Sequence, residues 1–75
     1  LYRGVFARCV HLNSVYFGKG SLYIGRDVFD GCDNLKDIYV QNTINSCERL
    51  FRSGTMFTGK SHKITIHCSD GNFEV

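Results

Sequence analysis

Apolar and polar positions along this chain follow two different periods. From Leu12 to Phe17 and from Leu35 to Val40 they alternate, with Val15, Phe17, Ile38 and Val40 on one side and Ser14, Tyr16, Asp37 and Tyr39 on the other. Alternation of this kind marks a half-buried strand. A third strand is expected from Lys63 to His67, with Ile64 and Ile66 inward and Thr65 outward. Between the second and third strands the spacing changes. Ile44, Cys47, Leu50 and Phe51 share one side at helical spacing, which predicts a helix over residues 43–53. Asn45 or Ser46 suits its N-cap, Glu48 its first turn, Arg52 its last turn and Gly54 its stop. Ser69-Asp70-Gly71 reads as a turn, after which Phe73-Glu74-Val75 returns as a short edge strand.

The first two strands sit inside a longer repeat. Val5, Phe6, Cys9, Leu12 and Tyr16 recur as Val28, Phe29, Cys32, Leu35 and Tyr39, and Arg3 recurs as Arg26. The offset, 28 minus 5, is 23 residues, and the six identities compare with about one or two expected from ordinary composition. Leu1 pairs with Ile24 on the same offset. A fixed period of this size marks a solenoid, in which each unit buries its apolar face against the next. The segments Val5 to Cys9 and Arg26 to Gly31 then become short helical turns. Val5, Phe6 and Cys9 face inward, and Gly31 stands where a left-handed residue is suited. Leu22 to Ile24 is a brief extended stretch. The predicted inward ladder joins Phe6 to Phe29, Leu12 to Leu35, and Val15 to Ile38 to Ile64. After Val40 the period fails, since Thr55 stands where a third Cys is due. Residues 1–40 therefore form two repeats, the first incomplete, and residues 41–75 an irregular last repeat with a C-terminal cap.

Composition narrows the class. The chain has 75 residues, 43% of them hydrophobic, so it is one domain or a piece of one and is not a disordered segment. Net charge is +2 with no basic run, and the electrostatic footprint of a nucleic-acid binder is missing. No apolar stretch reaches the length of a membrane span. The chain begins inside a repeat without an initiator Met, which reads as a cut-out from a longer parent with neighbouring domains. Four cysteines invite a disulfide framework, but Cys9 and Cys32 hold the same repeat position and are expected as a ladder of reduced, buried thiols. Strand spacing of about 4.8 Å leaves a Cys9–Cys32 bridge open as the alternative.

The run Val-Phe-x-x-Cys-x-x-Leu-x-x-Ile-x-Val resembles the BspA-type leucine-rich repeat, whose unit of about 23 residues carries Ala-Phe-x-x-Cys-x-x-Leu-x-x-Ile-x-Ile. Phe6, Cys9, Leu12 and Val15 fit it, as do Phe29, Cys32, Leu35 and Ile38, and Ile24-Gly25 resembles the Ile-Gly that precedes the run. The tail from Ile64 to Gly71 is similar to the closing segment of such arrays from gut anaerobes. Val5 and Val28 replace the family's Ala, and the Pro common after its strand is missing. The resemblance implies an α/β leucine-rich-repeat solenoid with short parallel strands, short helical turns and a C-terminal helix-plus-hairpin cap. It also implies an extracellular or cell-surface bacterial protein that binds other proteins or host matrix.

Cys47, His62, His67 and Cys68 are zinc-ligand types, but their spacing matches no zinc finger or ribbon, and adjacent strand residues such as His67 and Cys68 point to opposite faces. Neither Cys47 with His67 nor Cys9 with His11 comes with an oxyanion hole or an orienting third group. Gly59-Lys60-Ser61 lacks the upstream Gly of a phosphate loop. Arg3, Arg8, Lys19, Tyr16 and Tyr23 do not share one face as a stacking platform for single-stranded nucleic acid requires. No enzyme, metal or cofactor is expected. What remains is the outward face of the strands. In-register stacking places Ser14, Asp37 and Lys63 in one row and Tyr16, Tyr39 and Thr65 in the next. Exposed tyrosines are favoured in binding surfaces. The same rings equally suit cross-strand pairing in a purely structural spacer or capping domain.

Overall fold

A computed structural model describes residues 3–20, 22–57, 60 and 62–75. Leu1, the partner expected for Ile24, and most of the Gly59-Lys60-Ser61 run lie outside the described residues. The described residues form a four-stranded mixed sheet with one α-helix. Strand β1 is Ser14–Tyr16 and β2 is Asp37–Tyr39. Helix α1 is Ile44–Arg52, followed by a single 3-10 turn at Thr55–Phe57. Strands β3, Thr65–Cys68, and β4, Gly71–Glu74, form the closing hairpin. The sheet order is β1-β2-β3-β4, with β1, β2 and β3 parallel and β4 antiparallel to β3.

The period of 23 is built into the hydrogen bonds. β1 and β2 pair Ser14 with Asp37, Val15 with Ile38 and Tyr16 with Tyr39, the register that the repeat requires. The turns ahead of the strands also lie side by side. Gly4 N–H donates to Arg26 C=O at 3.1 Å, Phe6 N–H to Val28 C=O at 3.1 Å and Arg8 N–H to Asp30 C=O at 2.6 Å. On the far side, the 3-10 turn takes the next place. Asp27 N–H donates to Thr55 C=O at 3.0 Å and Phe29 N–H to Met56 C=O at 2.9 Å. Three phenylalanines stack through these turns, Phe6 on Phe29 at 6.0 Å and Phe29 on Phe57 at 5.8 Å between ring centroids. Leu22 to Ile24 forms no strand, although Leu22 and Ile24 pack against the core.

The third strand departs from expectation in register. Ile38 pairs with Ile66, not Ile64, so the offset is 28 residues rather than 26. The insertion of α1 and the 3-10 turn lengthens the connection, and the bonds from Asp27 and Phe29 to Thr55 and Met56 fix where it resumes. A slip of two keeps every inward residue inward, so Ile64 and Ile66 are both buried as predicted. β1 and β2 are shorter than the apolar alternation that marks them, β3 ends one residue later than expected, at Cys68, and β4 begins at Gly71, ahead of Phe73, and ends at Glu74.

Helix α1 ends where Gly54 takes a positive φ of 75°, but it starts differently from the reading of its sequence. The N-cap is Thr43, not Asn45 or Ser46, and its side chain makes no capping bond. Asp70, in the β3–β4 turn, instead accepts the Ile44 N–H at 2.9 Å. Glu48 lies past the first turn and pairs with Arg52 at 2.9 Å, one helical turn on.

The core gathers around the second repeat. Val28, Phe29, Cys32, Leu35, Ile38 and Val40 are buried, together with Cys47 and Phe51 of α1, Met56, Phe57, Ile64, Ile66 and Phe73. Their counterparts in the first repeat are not fully buried as the ladder predicted. Phe6, Cys9, Leu12, Val15 and Phe17 are half-covered, and Val5 is 50% exposed. Among the described residues β1 pairs on one edge only, so each of these side chains has a neighbouring unit on one side alone.

Candidate functional site

The outward face of the sheet carries two rows. One runs Ser14, Asp37, Thr65 and Glu74; the other runs Tyr16, Tyr39, His67 and Asn72. Thr65 was expected beside Tyr39 and Lys63 beside Asp37. The register of β3 moves Thr65 to the Asp37 row and leaves Lys63 exposed ahead of the strand. His67 takes the place expected for Thr65.

That exchange changes the surface. Tyr16 and Tyr39 stack with ring centroids 4.5 Å apart and planes 5° apart, and Tyr39 and His67 stack at 4.3 Å and 9°. The three rings form one continuous strip across β1, β2 and β3. Parallel strands about 4.8 Å apart set the ring spacing directly. Tyr16, at the open end, is 73% exposed. His67 Nε2 lies 2.9 Å from Asp37 Oδ1, a bond that crosses from one row to the other and fixes the imidazole edge-on to the carboxylate. Partial loss of hydration, followed by the Asp37 charge and then Tyr16, raises the Tyr39 phenol above its ordinary range. The strip is therefore aromatic along its length, with carboxylates of Asp37 and Glu74 in the row beside it.

Other residues singled out in the sequence are scattered. Cys47 and Cys68 meet, with Sγ atoms 3.6 Å apart, but His67 points to the opposite face of β3 and the His62 ring bonds to the Leu35 carbonyl. Among the described residues no three His, Cys, Asp or Glu side chains gather as a metal site. Cys47 contacts the Thr43 carbonyl and Cys68 rather than His67, and His11 is exposed while Cys9 is half-buried. Arg3 pairs with Asp27 at 3.6 Å, away from the Tyr16 stack. The insertion between β2 and β3 adds an open cleft of about 380 Å³ lined by Phe51, Arg52, Gly54, Phe57, Lys60 and Val75. Its principal cation is already engaged, since the Arg52 guanidinium pairs with Glu48 and stands 5.0 Å over the Phe73 ring.

His67 was missed as a member of the aromatic row because apolar alternation cannot distinguish a register from one slipped by two. A signal was present all the same: aligning rings with rings would have placed His67, a planar side chain, beside Tyr39. Comparison with protein-family models, with characterised proteins and with solved structures gives no match to this chain.

Proposed function

We propose that this chain is a stretch of leucine-rich-repeat solenoid that binds a protein partner on the outward face of its sheet. The function is adhesion-type or other protein–protein binding, without catalysis, in a secreted or surface-displayed bacterial protein. The side-by-side turns, the parallel β1–β2–β3 pairing and the Phe6–Phe29–Phe57 stack support the solenoid. The observation that carries the binding reading is the Tyr16–Tyr39–His67 strip with Asp37 and Glu74 beside it. Rings held face to face lose little side-chain freedom when a partner covers them. A partner segment bearing Arg suits this surface best. Its guanidinium can lie over the open Tyr16 ring while its fork reaches a carboxylate.

A second reading has its own support. The rings already satisfy one another by stacking, as in a structural spacer whose tyrosines only brace the sheet. One pair of measurements separates the two. Immobilised fibronectin, fibrinogen, laminin and collagen are tested for binding to the wild-type chain and to Tyr16→Ser/Tyr39→Ser, and both chains are melted. Binding reduced by about tenfold or more with the melting temperature nearly unchanged supports the binding surface. A sharp fall in melting temperature, or equal binding by both chains, counts against it.

A further inference from the structure

Cys47 and Cys68 stand outside the binding surface, on the inner side of the sheet, and their sulfurs are 3.6 Å apart. They come from different elements, α1 and β3, separated by 21 residues in sequence, 68 minus 47. Cys47 is 1% exposed and its sulfur also lies 3.3 Å from the Thr43 carbonyl, whereas Cys68 is only partly covered. The hairpin turn bearing Asp70 ties the same two elements together through the Ile44 N–H. We propose that Cys47 and Cys68 are a reversible dithiol–disulfide pair that latches α1 to β3, oxidised by small-molecule disulfides of the glutathione class.

The order of events follows from access. Cys68, the less buried of the two residues, attacks one sulfur of oxidised glutathione as its thiolate. The glutathione S–S bond breaks, and the departing glutathione thiolate takes up the proton that Cys68 gave to solvent. Cys47 then loses its proton and attacks the Cys68 sulfur of the mixed disulfide. The Cys68–glutathione bond breaks, and a second glutathione thiolate leaves and is protonated. In balance, two protein thiols are oxidised by two electrons and one oxidised glutathione becomes two reduced ones. Burial raises both thiols above the ordinary range. Raised thiols make the exchange slow at neutral pH, and the better access of Cys68 makes it the first nucleophile.

Cys9 and Cys32 share a repeat position and are expected as reduced thiols, with a bridge between them as the alternative. Cys32 there gives its S–H to the Phe6 carbonyl at 3.1 Å. The test incubates the folded full chain with oxidised glutathione at mildly alkaline pH, then alkylates under denaturing conditions and measures intact mass and peptides. The expected product has lost two hydrogens, leaves Cys9 and Cys32 alkylated, and links the peptides of Cys47 and Cys68. Its melting temperature rises by roughly 10 °C and returns on reduction, because the cross-link closes a loop in the unfolded chain. Cys47→Ser is expected to stop at a stable glutathione adduct on Cys68. Four outcomes overturn the proposal: an adduct that persists on wild-type Cys68, a Cys9–Cys32 link, an unchanged mass, or a link that leaves the melting temperature unmoved. The wild-type measurements decide the matter even where the Ser variant fails to fold.

Discussion

Arg8 and Gly31 occupy the same position of the repeat, and the backbone treats them alike, with φ of 61° and 71°. Gly4 and Asp27 form a second such pair, at 66° and 59°. The conformation thus follows the repeat and not the residue, because the turns must present their N–H groups to the carbonyls of the next unit. A left-handed Arg costs about 1–2 kcal/mol, against about 0.5–1 kcal/mol for the extra unfolded freedom of Gly. Arg8→Gly is therefore expected to stabilise the fold by roughly 0.5–1 kcal/mol in denaturant unfolding. Gly31→Ala is expected to cost about 1–2 kcal/mol, since an added Cβ would stand 3.3 Å from Arg8 Cγ as well as take the strained φ. Equal and small effects at the two sites would show that the turns relax. Titration acts at the same scale. Cys47 is pushed up to about 12 from an ordinary 9.0, and Cys32, Cys68 and Tyr39 shift in the same direction. Between these values the unfolded chain has released thiol protons that the folded chain keeps. Stability is therefore full below about pH 9 and falls as pH rises toward 12. Thermal melts across that range, under reducing conditions, check the slope; a flat profile is the contrary result.

At the scale of elements, what could be read from the sequence was set by which errors the hydrophobic pattern can detect. A slip by one residue turns Ile66 outward and is excluded at once. A slip by two does not, so the register of β3 had to come from the insertion ahead of it, where the 23-residue period gives no guide. The β1–β2 register was legible because the 23-residue period and the apolar alternation agree there, and the α1 face of Cys47 and Phe51 and the hairpin because helical spacing and turn residues mark them without the repeat. The N-cap was not, because the acceptor for Ile44 N–H comes from Asp70, 26 residues away. That contact is testable: Asp70→Ala is expected to destabilise by about 0.5–2 kcal/mol, the range for a lost cap, with most of the change in α1. Leu35, fully buried between the strands and the turns, sets the upper end of the scale. Leu35→Ala should cost on the order of 2–5 kcal/mol, and a loss below about 0.5 kcal/mol would mean that the second repeat is not the centre of the core.

Across the whole molecule, burial falls off in one direction. Ile38 is fully buried with a strand on each side, whereas Val15 at the equivalent place is half-covered with a strand on one side only. The closing hairpin protects the other end, where Phe73 covers the last parallel strand and Ile64 and Val75 exchange backbone hydrogen bonds. Local opening follows burial and the number of neighbours that must part. Native-state hydrogen exchange should therefore resolve a gradient along the repeat. The Val40 amide, bonded to the His67 carbonyl, should exchange only with global unfolding. The Phe17 amide, its counterpart bonded to the Tyr39 carbonyl, should exchange through a smaller opening that releases β1 and the Gly4–Arg8 turn together. The mutational counterpart is unequal cost at one repeat position, about 2–5 kcal/mol for Ile38→Ala and about 1 kcal/mol for Val15→Ala. The gradient bears directly on the proposed binding surface, because Tyr16 stands on the strand expected to open first and Tyr39 on the one expected to be most protected. A partner that covers Tyr16 must pin β1 in place, so its binding should slow exchange at Phe17 far more than at Val40. Protection that rises equally at both amides would place the partner elsewhere on the fold.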